Sequence, residues 1–317
     1  MIVVTYNSAR TVAQTLTSAF RALPGAELLV VDNGSTDGTL AAIAASETQV
    51  RVITGHGNVG FGAGCNLGAQ AATRDFLLFL NPDVVLSSFD DDEIGAAARR
   101  PSFGIFAASE EVGSRVRPLV NLALGPRSEL ALYLGRAFLL PAEFSVALPK
   151  GRPARQWVSG AAFLVRRSEF ARVRGFDERY FLYFEDRDLS DRYALCNLPV
   201  ASLSGLRIVH AAGTGSDAAS DGRVRWGLLS LLQYFESGRT PDGRGDVSRT
   251  ALRWIKLLRR TANFGGRVPG LRPRAVRKAE QLHRLESQLR LFAMQDDRSF
   301  YPDAAVGLAR AFGIRGG

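Results

Sequence analysis

A dense group of acidic residues in this chain follows a short aromatic and apolar run. The residues Phe181-Leu182-Tyr183-Phe184 lead directly into Glu185-Asp186-Arg187-Asp188. Apolar surroundings raise the pKa of a carboxyl group, so that it accepts a proton at a pH closer to neutral. Asp186 is therefore the candidate general base, and the aromatic faces beside it can stack on a sugar ring. Asp188 and Asp191 are interpreted as solvated positions of the helix that follows.

Two more carboxylates stand just after apolar runs. Asp32 follows Val30-Val31 and precedes a Gly/Ser turn, where it can accept hydrogen bonds from a pyrimidine N–H or a ribose hydroxyl; a plain turn with a helix cap explains it equally well. Asp83 follows the buried run Phe76–Leu80 and Asn81-Pro82. Oxygen ligands of this kind suit Mg²⁺ or Mn²⁺, which complete their coordination with water and phosphate oxygens.

Three other segments are open to more than one interpretation. Gly57–Gly68 is rich in glycine, but Leu67 stands where a dinucleotide motif needs its third glycine, so a Rossmann dehydrogenase is disfavoured. His210 ends an apolar run before a Gly/Ser loop, which suits a metal or diphosphate ligand or a structural histidine. The acidic run Asp90–Glu93 precedes an Ala-rich stretch and is predicted to form a helix N-terminus, without metal.

Regular elements must bring these side chains together. Apolar runs that predict strands alternate with Ala-rich stretches that predict helices, which is typical of an α/β fold with a mostly parallel sheet flanked by helices. The predicted strands are Ile2–Val4, Glu27–Val31, Val50–Ile53 and Phe76–Leu80. In such sheets ligands bind beyond the carboxyl ends of the strands, so Asn7, Asp32 and Asp83 are expected at one edge.

Composition limits the class of protein. The chain has 317 residues, 46% of them hydrophobic, and a net charge of +9, which favours an anionic partner. Charge alone does not choose among a nucleotide, an anionic lipid surface and nucleic acid. The N-terminus lacks the pattern of a signal peptide, and no apolar run is long enough to span a membrane. Its two cysteines are too few for a disulfide framework. A cytoplasmic protein is expected, with no nucleic-acid partner.

The chain is predicted to contain two parts. Residues 1–216 are expected to form the domain that holds the candidate site, in which residues 112–153 are an irregular excursion beside that site. Residues 217–317 are a basic helical extension. Apolar residues recur there at helical spacing from Val247 to Leu258, with basic residues on other faces. That helix either packs on its own domain with a solvated basic face or lies on anionic lipid as a peripheral contact.

Taken together, these segments resemble the family 2 glycosyltransferases of the GT-A fold, and among them the bacterial rhamnosyltransferase-like members. The resemblance spans residues 1 to about 216 in the family's order. The matching pieces are Val3-Val4-Thr5-Tyr6-Asn7-Ser8, Val31-Asp32-Asn33-Gly34-Ser35, Asn58-Val59-Gly60-Phe61-Gly62 with Asn66, Leu80-Asn81-Pro82-Asp83, Val158-Ser159-Gly160-Ala161, Gly175-Phe176-Asp177-Glu178 and Tyr183-Phe184-Glu185-Asp186.

The resemblance implies a role for each matched position. Asp186 would be the catalytic base, and Asp83 with His210 would bind a divalent metal, Mg²⁺ or Mn²⁺. On the acceptor side it places Gly160, Glu185 and Trp157, the last also explicable as a core aromatic. The nucleotide sugar would be bound by Thr5, Tyr6, Asn7, Asp32, Asn58, Gly60, Phe61, Asn66 and Asn81. The implied reaction is a single inverting displacement in which Asp186 takes a proton from the acceptor hydroxyl.

The substrates are less closely defined. The donor would be a sugar linked to dTDP or UDP, with rhamnose favoured by the resemblance alone. The acceptor would be a glycan, a lipid-linked intermediate or a small molecule in cell-surface polysaccharide or glycoconjugate synthesis. Two alternatives are a catalytically inactive binding protein for a nucleotide sugar or an anionic surface, and a sugar-1-phosphate nucleotidyltransferase. The second is disfavoured because this chain lacks the Gly-Gly-x-Gly-Thr-Arg loop that such a nucleotidyltransferase has after its first strand.

Overall fold

The strands and helices are those of a computed structural model. It describes residues 1–46, 48–123, 125–138, 155–210, 221–236, 247–265, 276 and 278–287. The strands are β1 (Ile2–Thr5), β2 (Leu29–Asp32), β3 (Arg51–Ile53), β4 (Phe76–Leu80), β5 (Val84–Phe89), β6 (Ile105–Val112), β7 (Arg115–Pro118), β8 (Val120–Leu122), β9 (Gln156–Val158), β10 (Ala162–Arg166) and β11 (Val200–His210). The helices are α1 (Val12–Ala22), α2 (Thr39–Ala44), α3 (Phe61–Ala71), α4 (Asp91–Ala98), α5 (Pro126–Phe138), α6 (Arg167–Arg172), α7 (Glu185–Leu195), α8 (Asp221–Glu236) and α9 (Val247–Gly265).

A mixed sheet carries the fold, and the predicted α/β class is confirmed. Its order in the described residues is β3-β2-β1-β4-β10-β6-β11-β5, with β7 added beside β6. Pairing is parallel from β3 through β4, as predicted, whereas β10 runs antiparallel to both of its neighbours. Farther along, β11 is parallel to β6 and antiparallel to β5. The strands predicted from the first apolar runs are all present.

This topology brings many chain segments to one edge of the sheet. The carboxyl ends of β1 and β2 meet there, because Thr5 pairs with Asp32. The antiparallel strand β10 begins at the same edge, where Ala162 pairs with Leu80 at the end of β4. The end of β11 is also there, because His210 pairs with Val84 at the start of β5. Asp83, which precedes β5, therefore lies beside the end of β11.

Helices cover both faces of the sheet. Alternate residues of a strand point to opposite faces, so Val3 and Ile2 belong to two different buried clusters. One cluster packs Val3 and Leu80 against α1 and α4, and the other packs Ile2 and Phe79 against α3 and α7. Asp90 caps α4 by accepting hydrogen bonds from the N–H groups of Asp92 and Glu93, which confirms the predicted helix N-terminus.

The chain divides into two compact units. Among the described residues, the first contains 1–123 and 155–210, and the second contains 125–138 together with the helical residues after 220. The structure thus groups α5, from the predicted excursion 112–153, with α8 and α9 instead of with the sheet. Residues 139–154 lie outside the described residues. Within the described part, no helix combines the length and apolarity needed to cross a membrane.

The buried Glu169 of α6 should be important for the stability of the first unit. Its carboxylate accepts the backbone N–H groups of Phe103 at 2.8 Å and Gly104 at 2.7 Å, just before β6. Glu169→Gln exchanges one acceptor oxygen for an NH₂ that faces an N–H. We expect this change to lower the free energy of unfolding by about 1–3 kcal/mol in urea titrations. Asp75→Asn, at an exposed carboxylate, is the control and should stay within about 0.5 kcal/mol.

Candidate active site

Helix α7, which carries the candidate base Asp186, begins after an unusual stretch of backbone. Tyr183 and Phe184 both adopt the left-handed conformation, with φ of 70° and 67°. Such residues cost about 1–3 kcal/mol each and persist where the surroundings hold them in place. Buried Phe176 and Tyr180 anchor the loop that leads to them. The strain places Glu185 and Asp186 in the first turn of α7, where the helix dipole favours negative charge.

Asp186 is held as a proton acceptor. Its Oδ2 accepts the backbone N–H of Gly160 at 2.9 Å, and its Oδ1 accepts the N–H of Arg187 at 2.8 Å. Burial raises the pKa of Asp186 to about 6, although the hydrogen bonds from Gly160 and Arg187 oppose the rise. The residue is only partly buried, so an incoming hydroxyl can reach it. Its geometry and pKa suit a general base at neutral pH.

Glu185, which was predicted on the acceptor side, lies in the interior of the protein. It is 4% exposed, and within the described residues its Oε2 has no hydrogen-bond partner. Burial, and then the neighbouring charge of Asp186, raise the pKa of Glu185 well above its ordinary value. Its side chain packs beside Gly62 of α3. The predicted place of Glu185 at the acceptor surface is therefore replaced by a place in the interior.

The interpretation of Asp188 and Asp191 as solvated was wrong. Both are buried, at 5% and 7% exposure. Asp188 pairs with Arg192 at 2.7 Å, and Asp191 pairs with Arg155 at 3.2 Å. The sequence pattern misled because the partner of Asp191 lies 36 residues earlier in the chain. The Arg155 pair ties α7 to the segment before β9, and Arg192 ties it to the loop after α6 through the carbonyls of Val173 and Gly175.

The predicted nucleoside residues form a linked group at the ends of β1 and β2. Asp32 is 2% exposed and accepts hydrogen bonds from Thr5 Oγ1 at 2.9 Å and from the hydroxyl and N–H of Ser35. Thr5 itself is fully buried. In this structure Thr5 therefore fixes the orientation of Asp32, and its own hydroxyl is not exposed to a ligand. The turn explanation for Asp32 and the ligand explanation both remain compatible with these contacts.

Asn7 and Tyr6 differ in what they offer a ligand. Asn7 has φ of 52°, and its Oδ1 accepts the N–H of Thr36 at 2.9 Å. Its backbone N–H donates to Ser35 Oγ at 2.9 Å, so Asn7 joins the two loops that follow β1 and β2. Tyr6 is 48% exposed, which leaves its ring available at the rim. Of the two, Tyr6 is better placed to stack on a base.

The glycine-rich loop before α3 is hydrogen-bonded to the loop after β2 and to the loop before α7. Asn33 Nδ2 donates to the carbonyl of Gly60 at 2.9 Å, and Phe61 N–H donates to the carbonyl of Phe181 at 3.0 Å. Asn58 Oδ1 accepts the N–H of Gly60 at 3.2 Å. Gly60 has φ of 91°, and a Cβ there would overlap the Phe181 carbonyl. Only glycine fits this position without displacing the loop.

Asn66 was predicted at the nucleotide, but the structure gives its amide to another partner. Its Nδ2 donates to the carbonyl of Phe176 at 3.0 Å and to Glu178 Oε1 at 2.9 Å, and its Oδ1 accepts the N–H of Phe176 at 2.9 Å. It is buried on α3. Asn66 therefore positions the loop before α7. The long sequence separation of these partners hid this role from sequence reasoning.

The backbone places Asp83 next to the end of β11, where His210 lies. Asp83 directly precedes Val84, which pairs with His210 across β5 and β11. Asp83 Oδ1 is buried, and the described residues give it no hydrogen-bond partner. An orphaned carboxylate oxygen is costly unless a donor or cation satisfies it, so this observation fits a divalent metal. Asn81 is half-buried at the end of β4, where its N–H donates to the Ala161 carbonyl at 2.8 Å.

Glu110 contacts His210, one of the predicted metal ligands, and the sequence analysis did not single it out. It is 5% exposed on β6, and its Oε1 lies 2.5 Å from His210 Nδ1. Burial alone would raise the pKa of Glu110, but hydrogen bonds from Arg117 and His210 outweigh that effect and lower it. If Nδ1 donates to this carboxylate, Nε2 is left as the acceptor or ligand atom. The signal available in the sequence was only an acidic residue in an apolar run.

Gly160 and Trp157 were both predicted on the acceptor side, and Gly160 lies next to Asp186. Gly160 is buried next to Asp186, and a Cβ built on it lies 3.3 Å from the Phe61 ring. Trp157 is half-buried on β9, where it pairs with Asn121 of β8. Gly160 and Phe61 thus border the candidate base. Trp157 has the partial exposure of a ligand-stacking residue.

Comparison with known proteins agrees with this arrangement. Residues 1–100 match the family model of glycosyl transferase family 2. The chain is 32% identical over 222 residues to the N-acetylglucosaminyl-diphospho-decaprenol L-rhamnosyltransferase of Mycobacterium tuberculosis, covering 61% of this chain and 69% of that protein. It is 27% identical over 190 residues to Rhamnosyltransferase WbbL of Escherichia coli, covering 55% and 67%.

A solved structure shows the same fold. The mannosyltransferase PcManGT from Pyrobaculum calidifontis, in complex with GDP-Man and Mn²⁺, superposes with a TM-score of 0.51 at 15% identity, covering 93% of this chain and 87% of that one. The sheet, its polar edge and these relatives define a glycosyltransferase of the GT-A fold. Within that class, the chain belongs to glycosyl transferase family 2.

The pKa of Asp186 leads to a prediction for the pH dependence of transfer. The base must be ionised, and its pKa is about 6. We therefore expect kcat/KM to level off above that pH and to fall about tenfold per pH unit below it. Asp186→Asn should lower turnover by about 10²- to 10⁴-fold and remove this limb of the profile. Release of nucleoside diphosphate at pH 5 to 8 measures both effects.

Nucleotide affinity, measured by calorimetry, should be little changed in Asp186→Asn. The control Asp91→Asn removes an exposed carboxylate from α4 and should retain the wild-type pH profile. A profile of unchanged shape in Asp186→Asn would assign the base to another residue.

Proposed function

We propose that this glycosyltransferase moves rhamnose from dTDP-rhamnose to a hydroxyl group of a lipid-linked sugar in cell-surface polysaccharide synthesis. The relative with 32% identity is an L-rhamnosyltransferase whose name gives a decaprenol-diphosphate acceptor. A second relative is also a rhamnosyltransferase. The observation in the structure that carries the proposal is the Asp186 carboxylate, held by Gly160 N–H at the polar edge of the sheet.

The reaction follows from the position of one base. Asp186 accepts the proton of the acceptor hydroxyl while that oxygen forms a bond to the anomeric carbon. The bond from this carbon to the diphosphate oxygen breaks, and the nucleoside diphosphate departs with the bonding electrons. Attack opposite the leaving group inverts the anomeric configuration. Tyr6 and Asp32 would bind the nucleoside, and the buried network of Thr5 and Ser35 holds Asp32 in a fixed orientation.

A divalent metal, Mg²⁺ or Mn²⁺, is part of the proposal. Asp83 and His210 would hold it, supported by the orphaned Oδ1 of Asp83 and the hydrogen bond of His210 to Glu110. Such an ion, when bound, neutralises the charge that develops on the departing diphosphate. Within the described residues, no three His, Cys, Asp or Glu side chains are placed to share an ion. Substrate oxygens and water would complete its coordination.

The division of labour between the two parts of the chain stays a proposal. Residues 1–216 would carry donor binding and catalysis, and residues 112–153 would contribute to the choice of acceptor. The enzyme would act in the cytoplasm, at the inner face of the membrane that holds its lipid-linked acceptor. Support for this location comes from the polyprenyl acceptor named for the relative and from the basic extension 217–317.

Thermal shift measurements with dTDP-rhamnose, UDP sugars and GDP-mannose, each with and without Mn²⁺, test the donor. A ligand present at 100 times its Kd adds about 2.7 kcal/mol of stability. We expect metal-dependent stabilisation by dTDP-rhamnose above the other sugars. A larger shift with a UDP sugar would keep the transferase and replace the donor. No stabilisation by any nucleotide would contradict the proposed activity.

Glu110→Gln tests the metal site through binding alone. If Glu110 orients His210, its loss should weaken Mn²⁺ affinity by about 10- to 100-fold in the presence of dTDP, as measured by electron paramagnetic resonance. The matched control is Glu111→Gln, because Glu111 is the next residue of β6 and lies 3.7 Å from Arg207. Equal affinities in the two variants, with unchanged melting temperatures, would remove Glu110 and His210 from the site.

A further inference from the structure

Helix α9 presents an exposed surface that the catalytic site does not explain. All of its charged residues are basic, namely Arg249, Arg253, Lys256, Arg259 and Arg260. Its buried side packs with α5 and α8 through Val247, Ala251, Ile255 and Ala262. Among the described residues, α9 is thus held in the second unit by this buried side and by the ion pair of Arg259 with Glu286. The question is what the opposite face contacts.

The opposite face combines positive charge with exposed apolar side chains. Arg253, Lys256 and Arg260 are exposed and follow one another at helical spacing. Leu257 lies among them and is 60% exposed, and Trp254 at the border of this face is 38% exposed. We call these five residues the basic apolar face. Arg259 is not part of it, because it forms an ion pair with Glu286 at 2.9 Å within the second unit.

We propose that the basic apolar face binds the surface of a membrane that contains anionic lipids. Lys and Arg near such a surface are attracted to its headgroups, and Trp and Leu gain by entering the boundary between headgroups and acyl chains. An indole ring suits that boundary because one part is apolar and its N–H is polar. The inference deepens the proposed function, on which its biological setting rests, since it names the surface that carries a lipid-linked acceptor.

Charge and composition favour lipid over other partners. A second copy of the chain would place two basic faces against each other, which costs energy by repulsion. A nucleic acid would satisfy the charges, but Leu257 would gain little from a phosphate backbone. A bilayer surface interacts favourably with both the basic and the apolar side chains of this face. The wild-type charge of +9 adds a weaker, non-specific attraction, so a test must separate this face from overall charge.

Vesicle cosedimentation of the full chain tests the proposal without donor, acceptor or metal. Vesicles of phosphatidylcholine and phosphatidylglycerol in equal amounts should bind the wild type, and vesicles of phosphatidylcholine alone should bind it far less. Each basic residue at the surface changes affinity by about 5-fold, so Arg253→Gln, Lys256→Gln and Arg260→Gln together should weaken binding on the order of 100-fold. Raising the salt concentration should weaken the wild type in the same direction.

The matched control removes the same charge elsewhere. Arg21, Arg99 and Arg172 are exposed residues of the first unit, and their replacement by Gln should change affinity only a few-fold. Trp254 gives a second readout, because its fluorescence should shift to shorter wavelength on vesicle binding and the shift should disappear in Trp254→Phe. Melting temperatures near the wild-type value show that the variants are folded.

Three results would overturn the proposal: no binding of the wild type to anionic vesicles, equal losses in the two triple variants, or binding to duplex DNA but not to vesicles with dependence on the same three residues. Each leaves the donor test unaffected, because that test measures nucleotide binding in the absence of lipid. Conversely, vesicle binding that depends on this face stands even if no nucleotide stabilises the protein. The two proposals therefore fail separately.

Discussion

The hydrogen bond from Gly160 N–H to Asp186 Oδ2 joins the central sheet to the helix that carries the proposed base. Gly160 precedes β10, the antiparallel strand inserted into the middle of the sheet, and Asp186 lies in the first turn of α7. The bond fixes the base at the sheet edge and partly offsets the cost of burying its charge. The ion pair of Asp191 with Arg155 and the hydrogen bonds of Arg192 to the carbonyls of Val173 and Gly175 then hold the rest of α7, so that the proposed base keeps its place.

Around that bond, the molecule separates binding groups from supporting groups. Four buried polar residues form hydrogen bonds with other protein groups, namely Thr5, Asn33, Asn66 and Glu110. Tyr6 is exposed at the rim instead. A rigid inner layer limits the freedom of each group that faces a ligand, which reduces the entropy lost on binding. The two consecutive left-handed residues before α7, Tyr183 and Phe184, likewise hold the backbone in one conformation before any ligand binds.

Much of the fold followed from local sequence. The early strands and helices have short, clean periodic patterns, and parallel pairing then placed Asp32 and Asp83 at one edge as expected. What escaped prediction depends on partners far apart in the chain. Asn66 bonds to a residue 110 positions later, and His210 to one 100 positions earlier. No local pattern marks such pairs, because an amide or a carboxylate looks the same in sequence whether it faces a ligand or a neighbouring loop.

The contact between Gly60 and the Phe181 carbonyl has an evolutionary consequence. The glycine-rich loop and the loop before the base touch through backbone atoms, so neither can change its path alone. A substitution at position 60 that survives selection should be accompanied by changes near position 181. These two loops would then change through paired replacements, and less through single substitutions in either one.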